Sequence, residues 1–117
     1  MVEGIYDSIP QQYADAPVTD HGRGVIIPAF SDLHVHASQY TERGLGMDCL
    51  LYDWLNDYTF PQEAKFADLD YAKDAYDAFV DELIANGTFH AAIFATIHRP
   101  ATNYLFKKME EKGLYGY

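Results

Sequence analysis

The sequence predicts an α/β fold, the opening β/α units of a (β/α)8 barrel. Three observations carry this. Apolar runs of strand type end at His34–His36 and fill residues 88–97, the second one near-continuous, as in strands buried on both faces of a parallel sheet. The segments around them repeat apolar residues at helical spacing. The order is strand, helices, strand, helix, start of a strand, and such alternation implies βαβ units with right-handed crossovers. A closed barrel needs eight strands and about 250 residues. A chain of 117 residues is therefore read as an incomplete barrel, the front piece of a larger protein.

Composition narrows the class. Hydrophobic residues make up 49% and aromatic residues 15% of the chain, which suits a folded domain with a modest core and not a disordered one. The formal net charge of −10 would repel a nucleic-acid backbone or an anionic membrane, so neither is an expected partner. One cysteine, Cys49, excludes an internal disulfide and a CxxC zinc site. The opening MVEGIYDSIPQQ has neither a basic nor an apolar signal-peptide region, and no apolar run approaches the ~20 residues of a membrane span. The expected compartment is the cytoplasm.

Residues 1–27 show only weak strand signals around Ile5 and Tyr6 and are punctuated by Pro10, Pro17, Asp20 and Gly22. They read as the end of an N-terminal β-rich region or as a loose arm, with residues 28–117 the first part of the barrel. Residues 25–36 read as the first strong strand. Ala37 to Gly46 is a polar, glycine-containing loop. Met47 to Tyr58 places Leu50, Leu51, Trp54 and Leu55 on one helical face, with Asp48 in the first turn. Thr59-Phe60-Pro61 breaks that helix and can start another. Asp68 is a candidate N-cap for the longest helix, whose stripe is Leu69, Ala72, Tyr76, Phe79, Val80, Leu83 and Ile84, with Gly87 just past its end. The run TFHAAIFATI, residues 88–97, is the second strand. Pro100 to Lys112 reads as a helix with Leu105, Phe106 and Met109 inward and Gly113 as its stop. Leu114 to Tyr117 starts another strand.

The functional signal lies in PAFSDLHVHASQY, residues 28–40. Side chains at i and i+2 share a strand face, so His34 and His36 project together, with Val35 opposite. Paired imidazoles form half of a metal site. Two histidines at this spacing also occur on ordinary solvated strands, and spacing alone does not decide between the two. Asp32, two residues earlier, can orient an imidazole or simply face solvent.

Three stretches carry a resemblance: DLHVHASQY at 32–40, LLYDWLNDYTFPQEAKF at 50–66 and NGTFHAAIFATIH at 86–98. Together they resemble the guanine deaminases of the amidohydrolase superfamily, whose fold is a TIM-type barrel. The HxH pair is common to the superfamily, whereas HASQY followed by WLxxYTFPxE is specific to these deaminases. The likeness covers most of the chain but only the first two barrel strands of that fold, and it makes residues 1–27 the end of the small β domain that precedes the barrel in that family.

The resemblance implies a zinc-dependent hydrolytic deamination of guanine to xanthine and ammonia. It makes His34 and His36 zinc ligands and Gln39 a purine-binding residue, for a carboxamide presents donor and acceptor together. Trp54 and Phe60 are candidates to wall the pocket, although apolar helix positions more often pack in a core. Asp48 and Glu63 read as helix-start charges. Two positions depart from the family pattern. Ala29 stands where members have Gly, and Gly87-Thr88-Phe89-His90-Ala91 stands where the second strand opens GTTxA. His90 is thus not expected to be a ligand, and His98 at the strand's end carries less weight than His34. The remaining zinc ligands and the proton-transferring glutamate belong to later strands. No catalytic residue is assigned within this chain, which is expected to be inactive alone and, at full length, to form a homodimer. The alternatives are another amidohydrolase acting on an amino- or chloro-heterocycle, and a non-catalytic fragment or interaction module.

Overall fold

The computed structural model describes residues 2–117. Its sheet has three parallel strands in the order β1-β2-β3: β1 (Phe30–His36), β2 (Thr88–Phe94) and β3 (Tyr115–Gly116). The predicted alternation and parallel pairing are therefore present, down to the short last strand. The first strand is shorter than residues 25–36. Val25, Ile26 and Ile27 are exposed and lie outside the ladder, and Pro28 between them and β1 has no N–H to donate to one. Residues 2–29 carry a single regular turn, the 3-10 segment Gln11–Tyr13. The second strand ends at Phe94, three residues short of Ile97, which is exposed.

The β1–β2 ladder contains a bulge that bears on the site. Asp32 pairs with Ala91 and Val35 with Ile93, so two residues of β1, Leu33 and His34, oppose one of β2. Bulges of this kind bend a strand and re-aim side chains. The backbone N–H of His34 donates to Asp32 Oδ1 at 3.1 Å. Asp32 thus satisfies the backbone at the bulge and does not orient an imidazole, contrary to one sequence reading. Beyond the strand, Ala37 N–H donates to Phe94 O at 2.9 Å and carries the pairing into the next turn.

Between β1 and β2 the chain forms a 3-10 turn (Ser38–Glu42), helix α1 (Leu51–Trp54), a π-helical turn (Leu55–Thr59), α2 (Phe60–Ala64) and α3 (Leu69–Ala85). The predicted break at Thr59-Phe60-Pro61 does not occur. The helical path continues, and the π turn falls just where Pro61 would meet the carbonyl of Asp57, four residues earlier. Proline removes a donor and clashes at that carbonyl in a regular helix, and a wider π turn accommodates it. The helix also starts later than expected, so Asp48 lies outside it and Asp53 occupies its first turn. Leu50 and Leu51 are exposed while Trp54 and Leu55 are half-buried.

Asp68 caps α3 as predicted, accepting from the N–H groups of Asp70 and Tyr71. Ala72, Ala75, Tyr76, Phe79 and Val80 bury the inner face of α3, Leu83 and Ile84 pack at its edge, and Leu69 stays exposed. Helix α4 (Arg99–Lys112) lies against α3 and buries Ala101, Leu105 and Met109, whereas Phe106, expected inward, is half exposed. The α4 helix ends at Gly113 with φ +73°, and Leu114 N–H and Gly113 N–H return to the carbonyls of Met109 and Glu110. This is a Schellman closure, which favours glycine at that position. Lys108–Asp77 and Lys112–Asp81 ion pairs and the Tyr104–Asp77 hydrogen bond join α3 to α4. Phe66, which the sequence did not mark, is fully buried beside Tyr76, ring centroids 4.9 Å apart.

The helices cover one sheet face, where Val35, Ile93 and Ala95 pack against the core. The opposite face holds His34, His36 and Phe94. No helix among the described residues is long and apolar enough to cross a membrane.

Candidate active site

The two histidines that spacing placed on one strand face do converge. Their Nε2 atoms are 3.3 Å apart and their ring centroids 5.2 Å. Phe94, at the end of β2 and in register with His36, fixes both rings. It stacks on His36 at 4.7 Å with planes 13° apart, and meets His34 at 4.8 Å. Nothing in the sequence singles out Phe94, which reads as one more apolar strand residue; the parallel register sets it beside His36.

Two nitrogens bound to one tetrahedral zinc at 2.0–2.1 Å lie about 3.3 Å from each other. The His34–His36 spacing fits two ligands of a single ion. Among the described residues no group of three or more His, Cys, Asp or Glu side chains comes together around a metal-sized point. The pair could supply two ligands to such an ion.

The histidines open onto a cavity of about 440 Å³, whose lining includes Gln39, Tyr40, Arg43 and Trp54. His34, His36 and Gln39 therefore share one space. Gln39 lies on the Ser38–Glu42 turn that follows β1. Trp54 lines the cavity too, and its Nε1–H donates to Leu45 O at 3.0 Å. It acts as wall more than as core. The neighbouring loop closes on it because Gly46, φ +62°, leaves no Cβ against the rings of Trp54 and Tyr58, which such a carbon would meet at 2.7–2.9 Å. Phe60 is half exposed and lines nothing.

Side chains of the helical segment hold the Ser38–Glu42 turn. Ser38 Oγ donates to Glu63 Oε1 at 2.7 Å and Thr59 Oγ1 donates to Glu42 Oε1 at 2.9 Å. Gln62 Nε2 donates to Thr41 Oγ1 and to the Tyr71 hydroxyl, each at 3.2 Å. Glu63, read from sequence as a helix-start charge, is a partner of this turn. Thr59, Gln62 and Glu63 stand at i, i+3 and i+4, one helical face, and that spacing was the available signal. Glu42 is 2% exposed, its Oε2 lacks a hydrogen-bond partner, and burial pushes its carboxyl above the usual range despite the Thr59 bond.

At the cavity's outer wall Glu82 accepts from the Tyr40 hydroxyl at 2.7 Å and pairs with Arg43 at 2.6 Å, and the guanidinium lies 4.0 Å from the Tyr40 ring centroid. The Arg43 bond, with that of Tyr40, holds the Glu82 carboxyl below the usual carboxylate range. The other two barrel-region histidines stand apart from the pair. His90 Nδ1 lies 3.3 Å from Ser31 Oγ, and His98 sits at the N-cap of α4 with no capping bond from its ring. Neither lines the cavity.

Residues 25–117 match the amidohydrolase family. A guanine deaminase of Dictyostelium discoideum is 42% identical over 96 residues, covering 82% of this chain and 21% of that protein. A guanine deaminase of Escherichia coli K12 is 38% identical over 90 residues, covering 77% and 20% respectively. The crystal structure of guanine deaminase from C. acetobutylicum with guanine bound in the active site superposes with a TM-score of 0.89 at 46% identity, over 94% of this chain and 26% of that one. The chain spans about a fifth of the curated relatives and about a quarter of the solved structure.

Proposed function

Because the chain belongs to the amidohydrolase family and resembles guanine deaminases over most of its length, we propose that a full-length protein carrying it hydrolyses guanine to xanthine and ammonia. The observation that carries this reading is the convergence of His34, His36 and Gln39 on one cavity. His34 and His36, whose Nε2 atoms lie 3.3 Å apart, would hold zinc. When bound, zinc acts as a Lewis acid that makes a water molecule nucleophilic near neutral pH. Phe94 keeps both rings in the ligating orientation. Gln39 holds the purine: its carboxamide accepts from one ring or amino N–H and donates to a ring nitrogen or carbonyl. Tyr40 and Trp54 wall the cavity and keep water from those hydrogen bonds.

Catalytic zinc sites use three protein ligands and an open position, and this chain offers two imidazoles. We therefore assign the activity to the full-length protein and expect none from the 117 residues alone. Ammonia release by the purified full-length protein tests the assignment, with guanine set against adenine, cytosine and an amino- or chloro-triazine. Turnover confined to guanine, lost on chelation and restored by zinc, supports it. Preference for another heterocycle would replace it with a different amidohydrolase activity.

A further inference from the structure

The Ser38–Glu42 turn has few and long bonds of its own, one of them Thr41 Oγ1 donating to Ser38 O at 3.4 Å. It is a 3-10 segment, a class with poor hydrogen-bond geometry that survives in short pieces, and its Tyr40 N–H to Ala37 O bond is long, at 3.4 Å. Its fixed points come from outside. Ser38 on one side of Gln39, and Thr41 and Glu42 on the other, are bonded to Glu63, Gln62 and Thr59. Ser38, Glu42 and Thr59 are all buried, so little water competes for these bonds. None of Ser38, Thr59 or Glu63 lines the cavity. The π turn at Leu55–Thr59 ends on Thr59, the first residue of this polar face.

We propose that Glu63 is a positioning residue for substrate, acting through the Ser38 hydroxyl to aim Gln39 into the cavity. The proposal rests on the guanine reading above. It makes the α1–α2 segment a determinant of purine recognition, although its bracing side chains never meet the purine. The short 2.7 Å Ser38–Glu63 bond is the tightest of the three links and the one next to Gln39 in the chain.

The test uses the full-length protein. Glu63→Ala should lower kcat/KM for guanine about tenfold, the effect of one buried hydrogen bond lost, while zinc stoichiometry stays at the wild-type value. Glu63→Gln, which keeps a carbonyl to accept from Ser38, should recover most of that loss, and Ser38→Ala should reproduce it. In a Gln39→Ala background, Glu63→Ala should change kcat/KM no further, since contributions through one shared group do not add. Hydrogen exchange at residues 38–42 should rise in Glu63→Ala while that of α3 stays unchanged. Additive losses in the double variant, or loss of zinc together with activity, would overturn the proposal, and Ser38→Ala supplies the same readouts if Glu63→Ala does not fold. A wild-type protein inactive on guanine would sink the functional reading and this proposal with it. An active wild type with an unaffected Glu63→Ala would sink the proposal alone.

Discussion

Gln39→Ala in the full-length protein separates purine recognition from metal binding. The residue stands on the turn after β1, half-buried, facing a cavity of about 440 Å³ shared with His34 and His36. Truncation removes one acceptor and one donor. A purine group left unpaired in a desolvated site costs about 1–3 kcal/mol. At about 1.4 kcal/mol per decade, one such group left unpaired corresponds to a roughly ten- to hundredfold fall in kcat/KM. The imidazoles are fixed by β1 and by Phe94, and a carboxamide is not a favoured zinc ligand, so zinc content should not move. The assay is steady-state ammonia release with guanine, alongside metal analysis of the same preparation. Turnover of guanine at the wild-type kcat/KM would make Gln39 a solvent residue and remove the main residue-level support for guanine as substrate. A variant that loses zinc as well would place Gln39 in the metal site and refute the division of labour argued here.

Three further outcomes are expected. His34→Ala and His36→Ala, each removing one of two nitrogens 3.3 Å apart, should abolish activity and lower zinc content in the full-length protein, and wild-type stoichiometry in both would dismiss the ligand assignment. Glu42→Gln should raise the Tm at pH 7 and leave it unchanged below about pH 4. Burial lifts the Glu42 carboxyl above its ordinary 4.5 in the folded state, so folded protein binds that proton more tightly, and stability falls as pH climbs from the unfolded value through the folded one; a Tm gain independent of pH would contradict this. The isolated 117-residue chain should aggregate on heating without a cooperative transition, because the outer edge of β1 is unpaired and Phe94, Leu50 and Leu51 are exposed. A soluble monomer with a sharp two-state melt would refute that.

The parts of the fold legible in the sequence were those decided by local chemistry. Asp68 as N-cap, Gly87 and Gly113 as left-handed helix ends, and the stripe Ala72, Tyr76, Phe79, Val80 each follow from one residue type at one position. The HxH spacing likewise gave the shared face of His34 and His36. Errors arose where a distant partner decides. The strand-like VII at 25–27 lacks a neighbour to pair with, so β1 starts only at Phe30. Pro61 reads as a stop, yet the π turn carries the helix past it. The bulge that sends the His34 amide to Asp32 is a property of the β1–β2 register and leaves no mark in either strand alone. Phe94 follows the same rule: its role depends on which residue of β1 it faces.

The same distinction separates the two halves of the site. The imidazole pair is local, two residues apart on one strand, and any chain with that strand end could present it. The recognition half is not local. The HASQY and YTFPQE stretches lie about twenty residues apart in the chain, and the structure binds one to the other through Ser38–Glu63, Thr41–Gln62 and Glu42–Thr59. Each stretch supplies partners to the other: the 3-10 turn has few bonds of its own, and short 3-10 and π pieces of this kind are uncommon outside such settings. Their joint occurrence is thus a stronger statement than two separate motif matches. It joins a turn, its brace and the position of Gln39, so under the proposed function this half would bear on which heterocycle the cavity accepts and the histidine pair on the metal.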